Sequence, residues 1–103
     1  MKNTVENVIY TKVQSGEIAG SATAAVLPTI ACSMVWFKAV ASNAGKVYLG
    51  VAGVTVVNGT ADATSGIELA AGDMIGPIPI TNLNLLYLIC DNAGDDLTYF
   101  AVG

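Results

Sequence analysis

Asp91-Asn92-Ala93-Gly94-Asp95-Asp96 sets three carboxylates and a side-chain amide within six residues, the densest group of oxygen ligands in the chain. Such a group suits a hard cation, but the run lacks the alternating Asp/Asn order and the closing Glu of an EF-hand loop. Asp, Asn and Gly are also the residues that favour turns, so the stretch reads as a solvated hairpin turn. There is no histidine anywhere in the sequence, which removes the commonest general base and transition-metal ligand. Serine and threonine hydroxyls therefore have no imidazole to activate them, and Lys2, Lys12, Lys38 and Lys46 sit in contexts that read as solvated. No catalytic residue, metal site or cofactor is expected, and the chain does not read as an enzyme. Asn58-Gly59-Thr60 fits a glycosylation sequon, but without a secretory signal it is a turn followed by Thr. Cys32 and Cys90 both fall in expected strands; they read as buried free thiols, with a disulfide between neighbouring strands as the alternative.

Charge narrows the choice of partners further. The net charge is −4, from four lysines, no arginine and eight acidic residues. There is no basic stripe to neutralise phosphates, so nucleic acid is not an expected ligand. No apolar run approaches the roughly 20 residues of a membrane helix, and the opening residues lack the apolar segment of a secretory signal. The expected site of synthesis is the cytoplasm. Hydrophobic residues make up 53% of the sequence and charged residues 12%, against about 25% charged in an ordinary soluble domain. Asn, Thr, Ser and Gly must cover the outside, or part of the apolar surface is buried against another chain.

Positioning of these residues falls to strands. Runs of β-branched and aromatic residues alternate with Gly, Asn, Asp and Pro clusters, giving strands at 8 to 14, 17 to 26 in part, 32 to 40, 46 to 52, 67 to 69, 74 to 80, 85 to 90 and 97 to 102. The expectation is a single all-β domain over 1 to 103, a β-sandwich or jelly-roll-like barrel of about eight short strands. Ser42-Asn43-Ala44-Gly45 predicts a hairpin between 32 to 40 and 46 to 52, and Ala70-Ala71-Gly72-Asp73 a second turn. Residues 54 to 66 form the longest polar loop. Pro77 and Pro79 both delete an N–H on one lateral side of their strand, which makes it an edge strand or a bulged one.

Strand 32 to 40 carries the main anomaly. Alternation puts Val35, Phe37 and Ala39 on one face and Met34, Trp36 and Lys38 on the other. The first set is an ordinary core face, so the chain's one tryptophan lies on the side where Lys38 meets water. Two readings remain: a neighbouring molecule covers Met34 and Trp36, or a second layer or N-terminal arm of the same chain does.

Taken in order, Leu27-Pro28, Cys32 with the alternating strand to Lys38-Ala39, Asn43-Ala44-Gly45, Val47-Tyr48-Leu49-Gly50, Gly53-Val54, Leu69-Ala70-Ala71-Gly72-Asp73, Asn82-Leu83-Asn84 and Leu86-Tyr87-Leu88-Ile89 give a pattern. It resembles a family of small β domains in tailed-bacteriophage virion proteins, over residues 13 to 102. The resemblance implies a non-enzymatic capsid decoration (cement) protein that binds the assembled major capsid protein, forms a homo-oligomer, most often a trimer, and resides on the capsid surface of the virion. In that family the strand after the cysteine tends to read Lys-Arg-Val-Thr-Ile-Lys, and a lysine often stands where this chain has Leu85. Met34, Trp36 and Leu85 are thus apolar where the family is polar and faces outward, and they are the expected partner interface. Residues 1 to 15, with Val5, Val8, Ile9, Tyr10 and Val13, form an expected arm that pairs with an adjacent subunit, adding Ile9 and Tyr10 to the interface. The alternative is a head-fibre or tail module that binds a receptor or glycan, for which Tyr48, Tyr87 or Tyr99 near polar loops would be the platform.

Overall fold

Short β-branched and aromatic runs do become strands in the computed structural model, which describes residues 9–103. They are β1 (Val13–Ala19), β2 (Ala25–Val26), β3 (Met34–Ala39), β4 (Val47–Gly50), β5 (Ile67–Leu69), β6 (Met74–Pro79), β7 (Tyr87–Cys90) and β8 (Asp96–Val102). A 3-10 turn at Leu83–Leu85 is the one helical element among the described residues. No helix among them is long and apolar enough to cross a membrane.

The pairing is that of one long hairpin rolled up. β1 pairs with β8, β2 with β7, β3 with β6 and β4 with β5, all antiparallel, with residues 51 to 66 at the tip. Rolling then lays β8 beside β3 and β7 beside β4. Two four-stranded sheets result, β1-β8-β3-β6 and β2-β7-β4-β5. This is the eight-stranded jelly roll, one of the two architectures expected from the strand pattern. Every connection except that between β4 and β5 carries the chain from one sheet to the other.

That crossing corrects the expected hairpin at Ser42 to Gly45. β3 pairs with β6 and β8, whereas β4 pairs with β5 and β7, so the two strands flanking this turn never meet in a ladder. Turn residues mark where the chain reverses; they do not say whether it stays in its layer. The first strand also moves, from the expected 8 to 14 to Val13–Ala19. Its sequence, VQSGEIA, is an edge with only Ile18 buried, so neither alternation nor propensity marks it. Likewise 85 to 90 divides into the 3-10 turn and β7, because the Asn82 side chain caps that turn, accepting from the N–H of Asn84 at 3.0 Å and of Ile30 at 3.0 Å. β6 is an edge strand, and its register against β3 shifts between Val35 and Phe37, in keeping with its two prolines.

Between the sheets lies one core. Val35, Phe37, Ala39, Leu97 and Ala101 project into it from the first sheet, and Val47, Leu49, Leu69, Leu88 and Cys90 from the second. Leu27 and Leu83 close it from the connections. Among the described residues no buried side-chain polar atom lacks a partner.

Candidate interaction surface

A two-layer sandwich has two outward faces, and this chain treats them differently. On the β1-β8-β3-β6 sheet, cross-strand register brings Met34 beside Val102, Trp36 beside Phe100 and Lys38 beside Thr98, with Val13 next to Val102 and Met74 next to Lys38. Val13, Met74 and Phe100 are exposed, and Met34, Trp36 and Val102 are half-buried. Trp36 is held on two sides. Its ring centroid lies 5.9 Å from that of Phe100, tilted 58°, a spacing at which aromatic pairs attract. On the other side it covers Gly76, where a Cβ would come within 2.9 Å of Trp36 Cα and Cδ1 and of the Val35 carbonyl oxygen. Gly76 also has φ 138°, so no other residue fits there without strain. The indole is thus fixed in position while one side of it faces outward.

On the opposite outer face the outward aromatic of β4 is buried. Residues 51 to 66, which include the expected polar loop 54 to 66, join β4 to β5 at the end of the β2-β7-β4-β5 sheet and are mostly exposed. Val54 is buried, and a Cβ on Gly66 would come within 2.8 Å of Val54 Cγ2 and 3.0 Å of Tyr48 Cβ. Tyr48, on the outer side of β4, is only 4% exposed. Its hydroxyl donates to Asp91 Oδ1 at 3.1 Å. Burial, then this hydrogen bond and the Asp91 and Glu68 charges, push the Tyr48 phenol up to about 12. Because the folded value lies above the ordinary one of 10, the associated stability is complete below pH 10 and is lost as pH rises toward 12. An ultraviolet pH titration should show one phenol ionising late, together with unfolding, and Tyr48→Phe should abolish that step.

No protein family, curated protein or solved structure matches this chain. What it can bind has to be read from the surfaces themselves.

The acidic run 91 to 96 is structural. Asp95 is 3% exposed and accepts from the N–H of Ala44 and of Gly45, both at 2.9 Å, and from Asn92 Nδ2 at 3.4 Å. Asp91 accepts from the Lys46 N–H at 2.9 Å. Asn43 donates through Nδ2 to the Asp96 carbonyl at 2.8 Å and accepts from the Asp96 N–H at 2.9 Å. The run is therefore neither a simple hairpin nor freely solvated: it crosses between sheets and clamps the other crossing turn. Among the described residues no group of three or more acidic or cysteine side chains is arranged to hold a metal ion. Burial pushes the Asp95 carboxyl up, but the Ala44 and Gly45 N–H groups and Asn92 outweigh it, leaving it below its ordinary value of 3.8. Its contribution is present above that value and lost as pH falls through the lower, folded one. Acid unfolding should accordingly set in below about pH 4, and Asp95→Asn should flatten the pH dependence of the urea midpoint in that range.

The remaining expected interface residues are scattered. Leu85 is exposed, but it lines a different feature, a cavity of about 240 Å³ at the mouth of the sandwich with Val51, Ile67, Ile75 and Ile78. Ile75 and Ile78 pair with Phe37 and Val35 on the core side of β3, so this mouth is not continuous with the Trp36 face. Leu85 is thereby separated from Met34 and Trp36. Ile9 is 81% exposed and Tyr10 half-buried; the expected arm lies outside the described residues up to residue 8. The tyrosines of the alternative reading do not converge. Tyr48 is buried, Tyr99 packs against the core and Tyr87 lies half-buried on the outer side of β7. Cys32 and Cys90 are both free thiols, and burial pushes both up, which leaves them poor nucleophiles.

Proposed function

We propose that this chain is a bacteriophage virion structural protein, a decoration protein that binds the assembled capsid shell as a homo-oligomer and performs no chemical transformation. The observation that carries the reading is the apolar face around Trp36, which nothing among the described residues covers. On the other face of the same sandwich the outward aromatic of β4, Tyr48, is buried and its hydroxyl donates to Asp91. Met and Trp are enriched in the buried centres of protein interfaces and Lys is depleted; on this face Lys38 stands at the end of the strand, with Met34, Trp36 and Phe100 together beyond it. The resemblance of the motif order to phage virion β domains gives the partner its chemistry. Decoration is then mechanical: each copy buries this face on the shell, and many copies on one lattice add their weak contacts through multivalency.

Co-sedimentation tests the reading. Purified protein mixed with capsids that lack it should bind saturably, at a fixed ratio to the major capsid protein, and should leave isolated tails unbound. Binding to tails alone, or none to capsids at excess, would overturn it.

A further inference from the structure

We infer that β1 is a docking edge for a second copy of this chain, the two strands pairing antiparallel about a two-fold axis at Gly16. Lys12 and Gly103 exchange hydrogen bonds, Lys12 N–H to Gly103 O at 2.8 Å and Gly103 N–H to Lys12 O at 2.9 Å. Hydrogen-bonded and non-bonded pairs alternate along an antiparallel ladder. Continuing the register from Val13↔Val102, Gln14, Gly16 and Ile18 direct their backbone groups to β8, while Val13, Ser15, Glu17 and Ala19 direct theirs to the free edge. Among the described residues nothing pairs with that edge.

The two edges of this sheet are unlike. β6 carries Pro77 and Pro79, the usual device against strand pairing. β1 has seven residues, no proline and one charge, Glu17. β2, the edge strand of the other sheet, is two residues long and gives little shelter. An open row of backbone donors and acceptors fits one kind of occupant, another extended strand.

A second copy satisfies the register. Directly opposed residues in an antiparallel pair point to the same face, so a two-fold perpendicular to the sheet pairs odd positions with odd. Full overlap puts Gly16 on the axis, Ser15 opposite Glu17 and Val13 opposite Ala19 of the second copy. The single carboxylate then faces a hydroxyl instead of its own counterpart. The Gly16 pair is of the non-bonded kind, with Cα atoms about 4.5 Å apart, and within each chain the Tyr99 ring already fills the space over Gly16, where a Cβ would lie 3.0 Å from Tyr99 Cε1. Both Trp36 faces end up on the same side of one continuous sheet. The pairing goes beyond the capsid reading and is tested without a capsid.

Sedimentation equilibrium of the full chain should give twice the 10.5 kDa chain mass. Ser15→Pro removes an outward N–H and leaves the bonds to β8 in place, so it should give a monomer with an unchanged circular dichroism spectrum. Should Ser15→Pro fail to fold, a Val13→Cys/Ala19→Cys double variant decides: hydrogen-bonded pairs about 5.5 Å apart at Cα are within disulfide reach, whereas the two sites in one strand are about 20 Å apart. Mild oxidation should yield a covalent dimer that the native cysteines alone do not give. A monomeric or trimeric wild type, a dimer unaffected by Ser15→Pro, or no cross-link in the double variant would each overturn the inference.

Discussion

Phe37→Ala should lower stability by about 3–5 kcal/mol, the loss expected when a fully buried aromatic side chain leaves a cavity. Phe37 has no exposed surface and is the largest side chain wholly inside the sandwich. It stands on β3 where that strand is clamped between β8 and β6, opposite Tyr99 and Ile75. The space cannot close easily, because a β-strand neighbour on each side fixes the backbone. Domains of this size have only about 5–15 kcal/mol in total, so the variant should unfold at a much lower urea concentration or fail to fold at 25 °C. A loss below about 1 kcal/mol would mean the core is not packed as described.

Trp36→Ala, one residue away, should behave in the opposite manner. The indole is half-buried and its support comes from Phe100 and Gly76 at the surface, so the fold should survive with a small loss of stability. Association with capsids should fall by about 30-fold or more, the Kd equivalent of roughly 2 kcal/mol for a central aromatic anchor. Circular dichroism and co-sedimentation on the same preparation separate the two effects. Parallel loss of fold and binding would make Trp36 a core residue. Unchanged binding by a folded variant would remove this face from the interface.

Adjacent residues with opposite outcomes follow from the strand period of two, and that much was legible from the sequence: Val35, Phe37 and Ala39 point in, Met34, Trp36 and Lys38 point out. The all-β class and the proline-marked edge were legible for the same local reason. What the sequence did not disclose was nonlocal. Asn43-Ala44-Gly45 announces a reversal, but only the side chains of Asp91 and Asp95, some fifty positions later, hold that reversal across two sheets. β1 escaped because an edge strand with a single buried residue, Ile18, has no alternation to read. The loop between β4 and β5 left a signal that a polar reading passes over: Val54, Val56 and Val57 are too apolar for a segment that only meets water, and Val54 is indeed buried. Leu85 was expected outward because the resembled family often carries a lysine there, and it is exposed, but the roll sends it to the sandwich mouth rather than to the Trp36 face.

Cryo-electron microscopy of particles that carry this chain tests the central claim most directly. The account predicts density for it on the outside of the shell, with Met34, Trp36 and Phe100 seated against the capsid lattice. A map in which that surface points to open solvent, or in which the chain occupies the tail alone, would contradict it.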